Sequence, residues 1–242
     1  NEYTVRGWIN YGMAPHDGHW GALRSLKTDV SFGKPEWIPA RALQKGDVVL
    51  FPRIKKTVER GTITLPKKVV KSSTNKTKPL PNELELDETA LRFFGYYVSE
   101  GCASPGGTIA FSFHSNETKY VNEVVDFLKD RFGFSSRVRY SEEKDSVTVW
   151  ADSVLLARFL IKHFGRGAHN KTLPTWALLL PNWQLSQLVK GAWDGDGSSW
   201  QMRRERRGTS YSTVSKQLAY QMFAAVVRLG FMPKLNHCGV EY

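Results

Sequence analysis

The chain has 242 residues, 41% of them hydrophobic and 12% aromatic, enough to bury a core and too apolar for a disordered polypeptide. Against 23 Asp and Glu stand 34 Lys and Arg, a formal charge of +11, and that excess points to a polyanionic partner, nucleic acid first. No run of about 18 apolar residues and no signal-peptide pattern occurs, so a membrane protein is set aside and a soluble intracellular one, in cytoplasm or nucleoid, is expected.

Residues 1–52 are rich in Gly, Trp and β-branched residues and read as a small β-rich unit, with strand-like residues Tyr3, Val5 and Trp8 near its start and Val48, Val49, Leu50 and Phe51 at its end. His16 and His19 within it read as surface-loop residues, the other reading being a metal pair. Residues 53–82 read as a basic linker or arm: from Arg53 to Lys78 nine Lys or Arg face one acid, Glu59. Lys55, Lys56, Lys67 and Lys68 are its candidate phosphate contacts, the other reading being a solvated loop whose charge aids solubility. Cys102 and Cys238 are too few and too isolated for a disulfide framework or a paired zinc site and read as ordinary thiols.

After Pro81 the pattern turns helical. Asp87 is a good N-cap, Thr89 to Val98 is apolar over most of its surface, and Gly101 stops the run. A strand is expected over Thr108 to Phe113. Ser115 or Asn116 then caps an amphipathic helix reaching Phe132, with Gly133 as its C-terminal stop. Alternation predicts strands over Arg137 to Tyr140 and Ser146 to Trp150, joined by a turn over Glu142 to Asp145, and Ser153 to Phe164 forms a third helix.

The same order returns 96 residues later, measured from Glu100 to Asp196. Leu185 to Trp193 is the second motif helix, Thr209 to Thr213 a strand, Ser215 to Leu229 an amphipathic helix and Phe231 to Val240 a further strand. Arg228-Leu229-Gly230-Phe231 echoes Arg131-Phe132-Gly133-Phe134. The units are placed at 83–172 and 173–242, the second expected to be incomplete because it stops before the strand and helix that finish the first.

The repeated motif is Phe94-Gly95-Tyr96-Tyr97-Val98-Ser99-Glu100-Gly101 in the first unit and Lys190-Gly191-Ala192-Trp193-Asp194-Gly195-Asp196-Gly197 in the second. Small residues four apart, Gly95 with Ser99 and Gly191 with Gly195, let two helices approach backbone to backbone. Each helix ends in an acid followed by glycine. Pairing them brings Glu100 and Asp196 together where two carboxylates and two negative helix ends repel, an arrangement that calls for a cation. Mg²⁺ suits hard oxygen ligands and can serve phosphodiester hydrolysis.

These two segments resemble the paired LAGLIDADG motifs of homing endonucleases, of the single-chain, intein-associated kind, over roughly residues 83–242. The resemblance implies an α+β fold of two pseudo-twofold αββαββα units forming a saddle of antiparallel strands on the DNA major groove. It also implies a site-specific double-strand DNA endonuclease with metal at Glu100 and Asp196, and with Ser99 and Gly195 at the same site. The metal would be Mg²⁺ or Mn²⁺, with Ca²⁺ as a non-productive substitute. Glu at 100 in place of Asp, and Trp at 193, depart from the consensus; Glu keeps a metal ligand. Both halves of the site lie in one chain, so a monomer suffices. Two other readings stay open: a portion of a protein-splicing intein, and a non-cleaving LAGLIDADG regulator or RNA maturase.

Asn170-Lys171-Thr172-Leu173-Pro174 resembles the Lys-x-[Ile/Leu]-Pro element of intein endonucleases, which implies a catalytic Lys171; as bare sequence it is a surface lysine before a helix-starting proline. Alternate outward positions on strands are the expected DNA contacts: Arg137 and Arg139 in the first unit, Lys234 and Asn236 in the second. Arg203, Arg204, Arg206 and Arg207 stand where a hairpin loop is expected, as base readers or as a phosphate clamp. Finally, Trp37-Ile38-Pro39-Ala40-Arg41-Ala42-Leu43-Gln44-Lys45-Gly46-Asp47 resembles an element of Hint domains, the splicing fold of inteins, which implies a Hint-like remnant in the first fifty residues.

Overall fold

The computed structural model describes residues 2–9, 36–44, 54, 56–67, 78–201 and 207–238, and the statements below concern these. They build a mixed α+β fold with six helices and small antiparallel sheets. In chain order come β1 (Glu2–Ile9), β2 (Thr62–Thr64), β3 (Glu83–Glu85), α1 (Glu88–Ser99), β4 (Gly101–Ala103), β5 (Thr108–His114), α2 (Thr118–Phe132), β6 (Arg137–Ser141), β7 (Ser146–Asp152) and α3 (Val154–Phe164). After them come α4 (Thr175–Leu178), α5 (Asn182–Asp196), β8 (Gly197–Gln201), β9 (Arg207–Thr213), α6 (Lys216–Arg228) and β10 (Lys234–Cys238).

Local chemistry explains most helix ends. Asp87 caps α1, its carboxylate accepting from Ala90 N at 2.9 Å. Ser153 and Ser215 cap α3 and α6 in the same way, accepting from Leu156 N and Leu218 N. Gly133 closes α2 in the left-handed conformation at φ 64°. The start of α2 differs from expectation: its cap position is Glu117, without a side-chain cap bond. Ser115 is occupied instead by Asp145, across the sheet, and the Glu117 carboxylate accepts from His114 N at 2.8 Å. Helix α5 is longer than expected at both ends and carries Asp196 as its last residue.

One four-stranded sheet has the order β4-β5-β7-β6 and another the order β8-β9-β1-β10. Strands β4 and β8, which follow directly on the motif helices, escaped the sequence reading; at three and five residues they are too short to show a period. One row across the first sheet reads Gly101, Phe111, Val149, Val138. The matching row across the second reads Gly197, Tyr211, Val5, Leu235. Thr148-Val149 and Thr4-Val5 thus hold the same register position, and β1 takes in the second sheet the place that β7 takes in the first. The strand expected in an N-terminal β-rich unit pairs with β9 and β10, about two hundred positions or more along the chain.

Among the described residues of the Hint-like stretch there is one 3-10 turn, Ala40–Ala42, and Trp37 is fully exposed; residues 45–53 lie outside the described part. The basic arm is not exposed throughout. β2 pairs with β3, Ile63 and Leu65 are buried, and Gln184 of α5 holds the backbone of Arg60 through its amide N–H at 2.8 Å.

The core runs between the sheets and the helices. Phe93 and Phe94 of α1 stack on Phe127 of α2 and Phe164 of α3 with ring centroids 4.3 and 4.9 Å apart. Among the described residues, helices α1 and α5 make the most extensive helix contact, and this contact positions the candidate site.

Candidate active site and nucleic-acid interface

Helices α1 and α5 run side by side in the same direction and touch through backbone. A Cβ added at Gly95 would lie 2.4 Å from the Leu188 carbonyl oxygen, and one at Gly191 would lie 2.3 Å from that of Arg92. One turn further on, a Cβ at Gly195 would lie 2.2 Å from Ser99 Oγ and 2.9 Å from Glu100 Cγ. Only hydrogen at these positions permits the approach, and the approach brings the two helix ends, Glu100 and Asp196, together.

Glu100 is the C-cap of α1, with its N–H on the Tyr96 carbonyl at 2.8 Å. Burial pushes its carboxyl up to about 8, and the neighbouring charges of Asp196 and Glu117 add to the rise while Lys171 opposes it. Asp196 is exposed. Tyr211, fully buried, is held protonated by burial first and by the charges of Asp196 and Glu100 next.

Lys171 is 4% exposed, which corrects the surface reading that its bare sequence favours. Its ammonium donates to the carbonyls of Tyr97 and Gly101, the second at 2.7 Å, and stands 3.6 Å from the centroid of the Tyr97 ring. A cation thus caps the C-terminal end of α1, where the dipole is negative. Burial lowers the Lys171 pKa to about 8, with Cys102, Asp196 and Glu100 holding it up. The loop that carries it is strapped to α6: Ser215 Oγ donates to the Lys171 carbonyl at 2.7 Å, and the Gln221 amide exchanges two bonds of 2.8 Å with the backbone of Leu173.

Ser99 Oγ turns back to the Gly95 and Tyr96 carbonyls at 3.3 and 3.5 Å, so its hydroxyl is engaged within its own helix. Among the described residues no group of three or more His, Cys, Asp or Glu converges. The acids form a pair, a donor set that fits Mg²⁺, which commonly takes one or two carboxylates and leaves room for substrate phosphate oxygens and water.

The strands present the expected basic residues in register. Arg137 lies opposite Trp150 and Arg139 opposite Thr148, on the face of β7 away from its buried residues Val147, Val149 and Ala151. Lys234 and Asn236 of β10 hold the corresponding positions, opposite Arg6 and Thr4. Arg139 and Lys234 are exposed, Asn236 is half-buried, and Arg137 pairs with Asp152 at 2.9 Å. Arg207 opens β9; Arg203, Arg204 and Arg206, like Lys55, Lys68, His16 and His19, lie outside the described residues. Lys56 and Lys67 are exposed and belong to neither four-stranded sheet.

The sequence reading missed a buried polar cluster beside the helix pair. Arg92, 5% exposed, bonds Glu123 of α2 and Asp194 of α5, each at 3.0 Å. A charge inside the run Ala90-Leu91-Arg92-Phe93-Phe94 was the available signal, since a core helix face rarely holds an unpaired cation. No described helix is long and apolar enough to cross a membrane.

No protein-family model matches the chain. Among curated proteins it is 31% identical over 228 residues to the ATP-dependent DNA helicase Hel308 of Thermococcus kodakarensis, covering 85% of this chain and 20% of that protein. It is 28% identical over 211 residues to an iron–sulfur cluster assembly SufBD family protein of Mycobacterium tuberculosis, covering 84% of this chain and 22% of that protein. The chain therefore spans about a fifth of the length of these relatives. Among solved structures, the homing endonuclease I-WcaI bound to its DNA recognition sequence aligns with 49% of this chain and 55% of its own at 13% identity, with a TM-score of 0.30, too low to relate the two folds.

Proposed function

We propose that the chain is a metal-dependent, site-specific DNA endonuclease of the LAGLIDADG type, built from two pseudo-twofold units with one acid from each. The observation that carries this reading is the glycine-mediated contact of α1 with α5, which joins Glu100 and Asp196 at two negative helix ends beside the buried Lys171. Two such acids repel unless a cation or a proton lies between them. Glu100 and Asp196 would hold Mg²⁺ or Mn²⁺ through their carboxylates, with Ser99 and Gly195 at the same site. The bound cation would supply charge for the leaving oxygen and lower the pKa of water.

The residues themselves do the rest. Lys171 adds positive charge beside the acids, held still by its two carbonyl partners, so charge developing on a scissile phosphate meets a preorganised cation. The outward rows of the two sheets, with Arg137 and Arg139 on one and Lys234 and Asn236 on the other, supply contacts to a DNA duplex. Arg203, Arg204, Arg206 and Arg207 would extend those contacts. One chain holds both acids, so a monomer suffices for the reaction.

A second reading has an observation of its own. A DNA helicase and an iron–sulfur cluster assembly protein share no chemistry, yet each resembles this chain over about a fifth of its length. A segment recurring inside unrelated proteins behaves as an insert, which fits an endonuclease carried within an intein. The Hint-like element at residues 37–47 agrees with that reading, and the two are compatible.

The test is cleavage of a randomised duplex library in Mg²⁺ by the wild type beside Glu100→Gln and Asp196→Asn, with the ends sequenced. Site-specific double-strand breaks that disappear in both variants are expected. Sequence-specific binding without metal-dependent breaks would overturn the endonuclease and favour a non-cleaving regulator or maturase.

A further inference from the structure

One side of the helix pair carries a buried ion cluster. Arg92 donates from Nε to Glu123 Oε2 and from Nη2 to Asp194 Oδ2, both at 3.0 Å, and also reaches the Tyr96 hydroxyl. Tyr96 Oη donates to Glu123 Oε2 at 2.6 Å. Matching Gly95 to Gly191 relates Arg92 to Leu188 and Asp194 to Val98. Leu188 and Val98 are buried at 0% and 1% exposure, so two buried apolar residues hold the positions that match the ion pair.

Burying Arg92 costs desolvation that a leucine at the same place would not incur, so the ion pair is a poor choice for stability alone. What it adds is direction. Asp194 lies half a turn before Asp196, and its side chain leans back toward the start of α5, where Arg92 receives it. We propose that Arg92 is a positioning residue, which through Asp194 fixes the last turn of α5 and so holds Asp196 where it meets a cation shared with Glu100. This inference rests on the metal-site reading above but not on the cutting of DNA.

The test uses the full chain and Mn²⁺ alone as probe, with affinity read by titration calorimetry. Arg92→Leu with Asp194→Val places in this position the apolar residues found at the matching one and leaves net charge unchanged, so a change in affinity does not come from net charge. Expected is a folded protein whose Mn²⁺ affinity falls by about tenfold or more, the scale of losses when an outer partner of a metal ligand is removed. If the double variant does not fold, Arg92→Met with Asp194→Asn, also charge-neutral as a pair, serves with the same expectation. A folded pair variant with wild-type affinity would show a merely structural role and overturn the inference. Mn²⁺ binding by a wild type that cuts no DNA would sink the endonuclease reading and leave this one standing. A wild type that binds no Mn²⁺ would overturn both.

Discussion

Glu100 is the residue whose chemistry can be probed most directly. Its carboxyl is raised to about 8 by burial and by Asp196 and Glu117, so the folded chain keeps a proton that the unfolded chain has released. Metal-free stability is therefore expected to fall as pH rises from the ordinary glutamate range toward about 8, and chemical denaturation at a series of pH values checks the sign. A cation taking its place between the acids must displace that proton. Mg²⁺ affinity is thus expected to climb with pH up to about 8, and calorimetry near neutrality in two buffers of different ionisation heat should register about one proton released per cation. Heats independent of buffer would show that Glu100 is already ionised. Lys171 shows the limit of reading residues singly: nothing in Asn170-Lys171-Thr172 announces that its ammonium ends on carbonyls 74 and 70 positions back in the chain.

At the scale of elements, the contact of α1 with α5 tolerates no side chain at its glycines. Gly191→Ala would set a Cβ 2.3 Å from the Arg92 carbonyl oxygen, against backbone that cannot swing away. A loss of about 3 kcal/mol in urea denaturation is expected. Gly61→Ala, with nothing within 4 Å of its Cβ, serves as the control and should change stability by less than about 0.5 kcal/mol. Equal effects at the two sites would mean that the helices do not touch through these glycines. The helices were legible because their signals are local: Asp87, Ser153 and Ser215 cap through bonds to residues three positions on, and Gly133 stops α2 by its own backbone. The start of α2 was misread for the same reason, since Ser115 answers to Asp145 in another element.

For the whole molecule, the charge of +11 has to be located before it predicts anything. Arg139 and Lys234 lie at outward positions of the two sheets, while Lys56 and Lys67 lie on the segment around β2, in neither four-stranded sheet. Arg139→Ala and Lys234→Ala are each expected to weaken duplex binding and to reduce the slope of log affinity against log salt by about 1, measured by anisotropy from about 50 to about 200 mM salt. Lys67→Ala is expected to do less. Loss confined to Lys67→Ala would move the interface to the basic segment.

The sequence by itself determined the two acid-tipped motif helices, the amphipathic helix after each, and the longer strands of the first unit, because periodicity and capping act over a few residues. Only the tertiary structure decided that β1 lies between β9 and β10, that Lys171 is buried under α1, and that Arg92 spans 102 positions of sequence to Asp194. Strand pairing and buried ion pairs join groups far apart in the chain, and their energy depends on burial and approach that exist only once the helices and sheets have packed.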